Sequence, residues 1–244
     1  MILLCDTRQQ AGKHTLKDDY FRKQGIVVNR TKLYCGDYTL PTNQSICIDT
    51  KKDFTELIGD IHTKKKPKRE ILEEVMEISK ENHISFEVAD KLYHAICDDD
   101  DNRFAEKEIA DICYENGIPD SITSEFQKLY VKRQGFFHRG LVRAKYSEIK
   151  LIVLVENEDG VASISDVPYW ENPRMERYKK IQYMHSIGKW KSVPLPKGEP
   201  TSGKILFKAL NTMQKRYGVT FLFCRPEESG AKIIELLTGG NANE

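Results

Sequence analysis

The run Lys150-Leu151-Ile152-Val153-Leu154-Val155-Glu156 constrains the fold more than any other stretch. It is apolar without a break between its charged ends, rich in branched side chains, and too short for a helix of its own. Such a run predicts a strand covered on both faces, as in a parallel sheet packed between helices. Parallel neighbours need long crossover connections, so the chain is predicted to be α/β. Thr220 to Cys224 reads as a further strand. A helix bearing Leu206, Leu210 and Met213 precedes it, a helix bearing Ala231, Ile233, Ile234, Leu236 and Leu237 follows, and Gly239 to Glu244 reads as a frayed end.

A second strand carries charge. Along Ile46-Cys47-Ile48-Asp49-Thr50-Lys51, side chains alternate, so Cys47, Asp49 and Lys51 project to one side and Ile46, Ile48 and Thr50 to the other. One face is expected to be core and the other chemistry. Asp37, in Gly36-Asp37-Tyr38, opens the neighbouring strand of a hairpin whose expected turn is Pro41 to Ser45. Two carboxylates and an ammonium would then meet at one edge of a sheet. Paired carboxylates are hard oxygen donors that suit Mg²⁺ or Mn²⁺, which lowers the pKa of a bound water and polarises a phosphate. A lysine beside them can orient that water or stabilise charge developing on phosphoryl oxygens. Alone, Asp-x-Lys on a strand is more often a solvated surface pair.

The surroundings add to this. Upstream, Ile2 to Leu4 is a short apolar strand running into Asp6-Thr7-Arg8, followed by a helix through Leu16, Tyr20 and Phe21 and a strand from Ile26 to Leu33. Downstream, Phe54, Leu57, Ile58 and Ile61 have the spacing of a helix packed on a sheet. Asp-x-Arg, then Gly-Asp-Tyr, then Asp49-Thr50-Lys51 leading into Glu56-Leu57-Ile58 resembles the XPF-type nuclease domain, a branch of the restriction-endonuclease-like superfamily. The resemblance resumes at Phe136 to Ala144, which includes His138, Arg139 and Arg143, and at the strand ending in Glu156. Its last part, Met213 to Cys224, is similar to the small bacterial and phage members.

The resemblance implies a mixed central sheet flanked by helices and a divalent-metal-dependent DNA endonuclease acting on branched, flap or junction DNA, as in repair or recombination. It implies Asp37 and Asp49 as ligands of Mg²⁺ or Mn²⁺, with Lys51 acting on the attacking water or the transition state. Asp6 and Glu56 are candidates for a second metal or its outer shell, and Arg8 for the scissile phosphate. A homodimer is left open. The chain departs from the family pattern in three places: Asp49-Thr50-Lys51 replaces the usual Glu-Arg-Lys, the following acid comes one residue late as Glu56, and Gly140 stands where bacterial relatives often carry glutamate. These departures motivate an alternative, a weakened nuclease fold serving as a DNA-binding or protein-docking module.

The family blocks occupy residues 1–63 and 135–244; between them, 64–134 reads as a helical insertion, with apolar stripes through Ile71 and Val75, Phe86 to Ile96, Ile109 and Cys113, and Ile122 to Tyr130. Among 244 residues, 38 Lys and Arg face 37 Asp and Glu, so a DNA role must rest on local patches. Three present themselves: Lys64, Lys65, Lys66, Lys68 and Arg69 after the Asp-x-Lys helix; Arg139 and Arg143; and Arg177, Lys179, Lys180 and Trp190 in a segment with little apolar periodicity. That last segment is open to two readings, a base-stacking surface or a loop stapled to the core by its tryptophans. Asp98 to Asp101 lacks the glycine and terminal glutamate of a calcium loop and reads as a solvated turn. The six cysteines have no metal-site spacing and suit a reducing compartment. With no apolar stretch of membrane length, no membrane partner is expected, and the expected location is the cytoplasm of a bacterial or phage-infected cell.

Overall fold

The computed structural model describes residues 1–9, 15–62, 66–97, 105–190, 192–196 and 198–239. Lys64, Lys65, the Asp98 to Asp101 run, Lys191 and the stretch 240–244 lie outside the described residues. In chain order the elements are β1 (Ile2–Asp6), α1 (Thr15–Lys23), β2 (Val27–Thr31), β3 (Tyr38–Leu40), β4 (Asn43–Lys51) and α2 (Phe54–Ile61). Five helices follow: α3 (Lys68–Glu81), α4 (Phe86–Cys97), α5 (Ala105–Glu115), α6 (Asp120–Gln134) and α7 (Phe136–Tyr146). The chain then forms β5 (Lys150–Glu156), α8 (Arg174–Ser186), α9 (Gly203–Tyr217), β6 (Thr220–Cys224) and α10 (Ser229–Thr238).

The six strands make one mixed sheet in the order β2-β1-β3-β4-β5-β6. β1 pairs parallel to β2, β3 pairs antiparallel to both β1 and β4, and β4, β5 and β6 run parallel. β5 is buried at every position from Leu151 to Glu156, as its unbroken apolar run requires. One face of the sheet packs Leu3, Cys5, Ile48, Ile152 and Leu154 against Phe21 of α1 and Ile233 and Leu236 of α10. On the other face, Phe54 at the start of α2 meets both Trp170 and Phe223. The chain is thus α/β, with a mixed central sheet flanked by helices.

The structure divides into two compact units, Met1–Ile58 with Lys150–Glu244, and Gly59–Ile149. The second unit is wider than the 64–134 insertion read from the sequence and takes in α7. It has a core of its own, in which Ile71, Val75, Leu92, Ile96, Ile109 and Phe126 are fully buried. Phe86, counted among its apolar stripe, is instead 75% exposed at the first position of α4.

Three local readings are corrected. β4 begins at Asn43, so the hairpin turn is Pro41-Thr42 alone, and Thr39 Oγ1 bridges the strands by donating to the carbonyls of Asn43 and Ile46. In α1, Leu16 is 55% exposed while Lys17 is 3% exposed, because Lys17 turns inward to pair with Glu156. The stretch after Trp170 contains α8, which escapes apolar periodicity because Ile181 is its buried residue. Among the described residues, no helix is long and apolar enough to cross a membrane.

Two glycines set opposite expectations for stability. A Cβ on Gly203, at the start of α9, would stand 2.2 Å from the carbonyl oxygen of Val167 and 2.6 Å from that of Trp170. Gly203→Ala should therefore destabilise by about 1–3 kcal/mol, the usual cost of overpacking. At Gly140, inside α7, a Cβ meets nothing within 4 Å. Gly140→Ala should stabilise by about 0.5–1 kcal/mol through lost unfolded-state entropy. Urea unfolding of both variants checks the pair of signs.

Candidate active site

Gly36 determines where the first carboxylate lies. Its φ of +68° is a conformation that side chains resist, and a Cβ there would stand 2.9 Å from the carbonyl oxygen of Ile48. The chain can therefore lie directly against β4 before β3 begins. The Asp37 N–H donates to Ile48 O at 2.7 Å, and Asp37 O accepts from Asp6 N at 2.8 Å, so this residue ties β1 to β4. Asp37 thus sits against Ile48, the residue before Asp49, immediately ahead of the antiparallel Tyr38–Ile48 pair. The Asp37 carboxylate is fixed by two bonds to Oδ2, from Thr50 N at 2.7 Å and Thr50 Oγ1 at 2.8 Å. It takes the place of a backbone carbonyl and extends the ladder by one rung.

Asp49 is half-buried, and Lys51 Nζ lies 2.7 Å from its Oδ2. Lys51 is the last residue of β4 and is 7% exposed; its register partner in β5 is Val155, itself paired with Phe223. Cys47 is buried too, so the charged side of β4 is largely covered.

Asp6 is 1% exposed and accepts four bonds: Arg8 N and Nε on Oδ1 at 2.7 Å each, and Arg8 Nη2 and Leu33 N on Oδ2 at 2.6 and 2.9 Å. Burial pushes this carboxyl up, but the hydrogen bonds from Arg8 and Leu33 and the guanidinium charge outweigh it, leaving the pKa below its ordinary 3.8. The bond to Asp6 raises the Arg8 pKa, and the fields of Asp37 and Asp49 add to that. Arg8 therefore belongs to the same electrostatic patch as the two aspartates. Asp6 acts as the clamp that holds Arg8, a role the sequence reading did not assign it.

Glu56 has a local role. Asp53 Oδ1 accepts the Glu56 N–H at 2.7 Å and Glu56 Oε2 accepts the Lys52 N–H at 2.7 Å, so the two acids cap the start of α2 in a close variant of the capping box. Two further features had no clear sequence signal. Lys17 and Glu156 form a buried ion pair at the end of β5, although Lys17 lies beside the apolar Leu16 in the helical pattern. Thr50, read as core-facing, supplies both donors that fix Asp37. All six cysteines are buried, and burial pushes the Cys5 thiol up to about 11 and that of Cys224 up to about 12.

The basic candidates fall into two groups. In the helical unit, Lys66 pairs with Glu74, Arg69 Nε with Glu73 at 2.9 Å, and Arg139 with Glu106. Arg139 also lies 5.8 Å from the Tyr130 ring centroid, Arg143 is half-buried on α7, and Lys68 opens α3. His138 Nε2 lies 3.4 Å from Ile61 O, a structural contact. In the other unit, Arg177, Lys180 and Trp190 gather around one groove, and Lys179 is exposed on the same helix. Trp170 is 6% exposed and donates to Asp159 Oδ2 at 2.7 Å, whereas Trp190 is 40% exposed. Of the two tryptophans, Trp170 alone is a core staple.

No family model matches the chain, and no curated protein matches it. Among solved structures it is similar to XPF from Aeropyrum pernix, at 11% sequence identity and a TM-score of 0.40. That alignment covers all of this chain and 66% of the other, so the chain spans slightly less than two thirds of its length.

Asp6 generates a pH prediction. Its pKa is depressed by folding, so its stabilisation is full above 3.8 and is lost as pH falls through the lower folded value. Asp6→Asn should therefore lower the urea midpoint most at neutral pH, and the gap from wild type should shrink toward about pH 3 in the presence of chelator. A gap that stays constant with pH would remove the clamp from the account.

Proposed function

We propose that this chain is a divalent-metal-dependent DNA endonuclease, acting on branched, flap or junction DNA. The observation that carries the reading is the Asp37 carboxylate, held by Thr50, the residue that stands between the ion-paired Asp49 and Lys51 on β4. The XPF-type order of motifs in the sequence agrees with it.

The donor set suits the ion. Asp37 and Asp49 are hard, half-buried carboxylates from adjoining strands, and both hydrogen bonds to Asp37 fall on Oδ2. Among the described residues, no group of three or more His, Cys, Asp or Glu forms a metal cage. Mg²⁺ accepts such a sparse set, since it commonly keeps waters and completes its shell with substrate phosphate. Asp37 and Asp49 would hold Mg²⁺ or Mn²⁺, which when bound supplies Lewis-acid polarisation and an acidified water. Lys51 acts on the phosphoryl oxygens as charge grows there, or orients the nucleophilic water, and Arg8 binds the phosphate from the position in which Asp6 holds it. Glu56 is left to its helix cap.

A second reading is favoured by one feature: with Glu56 in the cap, the two aspartates have no third acid converging on them among the described residues. On that reading the fold binds DNA or a protein and does not cut.

Incubation with flap, fork and four-way-junction DNA in Mg²⁺ or Mn²⁺ decides between them. Wild type should cleave, and Asp37→Ala and Asp49→Asn should not. Lys51→Ala should lower turnover on the order of a hundredfold while DNA affinity stays close to wild type, as expected for a group acting in the transition state. Cleavage equal to that of Asp37→Ala, together with DNA binding indifferent to Mg²⁺ and to Asp49→Asn, would select the module. Parallel loss of binding and turnover in Lys51→Ala would reassign that lysine to docking.

A further inference from the structure

On α3, α4, α5 and α10, cations pair with acids three or four positions away: Arg69 with Glu73, Lys91 with Glu87, Lys107 with Asp111 and Lys232 with Glu235. On α8, Arg174, Arg177, Lys179 and Lys180 are all exposed, and none makes an ion pair among the described residues. Unneutralised cations on one helix repel each other by a few tenths of a kcal/mol per close pair, so the arrangement favours an anion. Such a cluster is the electrostatic footprint expected for a phosphate backbone.

Beside these cations lies a groove of about 540 Å³ lined by Pro173, Glu176, Arg177, Lys180, Ile181, Trp190 and Val193. Its aromatic wall is held firmly. Trp190 has a φ of +57°, a conformation that costs a bulky residue energy and persists only where neighbours impose it. They do so here: Lys189 N donates to Met184 O at 2.8 Å, Val193 N to Trp190 O at 2.9 Å, and His185 Nε2 to Val193 O at 2.6 Å. The indole is left 40% exposed, with Lys180 Nζ 5.8 Å from its ring centroid. Ile181 and Val193 make the adjoining wall apolar, and Glu176 is the acid of the lining.

A flat exposed ring, apolar walls and unpaired cations within one groove match the two halves of a nucleotide. We infer that this groove binds an unpaired nucleotide of single-stranded DNA, its base stacked on Trp190 and its phosphates on Arg177 and Lys180. The inference rests on the reading of the chain as a DNA-handling protein but not on cleavage. A base within a duplex has no free face to offer, so the groove discriminates by stacking, not by hydrogen bonding to sequence.

Full-length protein in EDTA is titrated with oligo(dT) and with blunt duplex, followed by tryptophan emission and by anisotropy of a labelled oligonucleotide. Oligo(dT) should quench wild-type emission, and Trp190→Phe should abolish the quench, since Trp170 is buried, while largely keeping affinity. Trp190→Ala should weaken oligo(dT) binding about tenfold or more, with little effect on duplex. The Arg177→Ala, Lys180→Ala double variant should flatten the log–log salt dependence for oligo(dT) by roughly 1.4, about 0.7 for each lost contact. Wild-type emission unchanged at saturating oligo(dT), or an unaltered salt slope in the double variant, overturns the proposal, whatever the Trp190 variants do to folding. Because chelator removes cleavage from the measurement, binding without any nuclease activity would sink the proposed function and leave this groove standing, and cleavage without a Trp190 response would do the reverse.

Discussion

The parallel pairing of β4 with β5 is the constraint on which the rest depends. These strands adjoin along six registered positions from Ile46–Lys150 to Lys51–Val155, yet the connection between them contains α2 and the whole helical unit. A crossover of that length is tolerable because loop-closure entropy rises only logarithmically with length. It is more so when the inserted residues form their own core, since the helices from α3 to α6 bury Ile71, Leu92, Ile109 and Phe126 among themselves. What fixes the join is the two-sided burial of β5. A shift of one residue would move Ile152 and Leu154 off the face they share with Ile48, so the register is strongly specified. That register also fixes the position of Asp49 and Lys51.

Buried charge closes three strands of this sheet. Asp6 closes β1, Lys51 closes β4 and Glu156 closes β5, and each is buried beside an opposite charge. Since β1, β4 and β5 run the same way, these termini mark one end of the sheet. Buried pairs of this kind add little net stability over apolar replacements, but breaking one leaves an uncompensated charge at a cost of about 3–5 kcal/mol. They are therefore better explained by what they hold in place than by what they contribute to folding. The Asp6 clamp places a guanidinium where the fields of Asp37 and Asp49 reach it.

Legibility in the sequence followed the range of the interaction. The β5 run, the alternation along β4 and the helices from α3 to α6 are short-range patterns, and burial on the predicted faces produced them. Other features leave no such pattern. Lys17 turns inward because Glu156 lies 139 positions later, and no helical pattern records that. Glu56, which the resemblance offers for a second metal or its outer shell, also has the spacing of a helix cap, and it accepts the Lys52 N–H while its own N–H donates to Asp53. α8 has too little apolar surface to leave a periodic trace. Trp170 and Trp190 were one choice in the sequence and became two in the structure, because Phe54, Phe223 and Asp159 converge on the first.

The balance of charge at the candidate site bears on why a lysine is placed where it is. Asp6 with Arg8 is neutral, while Asp37, Asp49 and Lys51 together carry one net negative charge. A divalent cation would turn that to one net positive charge, and a bound phosphodiester would bring it to zero. Lys51 is thus suited to two successive roles. Before binding, its ammonium compensates Asp49 in surroundings that include Val155, where an unpaired carboxylate would be costly. A cation held by the aspartates would weaken that ion pair, and the ammonium, on a residue 7% exposed, would then be compensated by a bound phosphate. On this reading, the same burial that makes Lys51 a liability without a partner directs it onto the substrate.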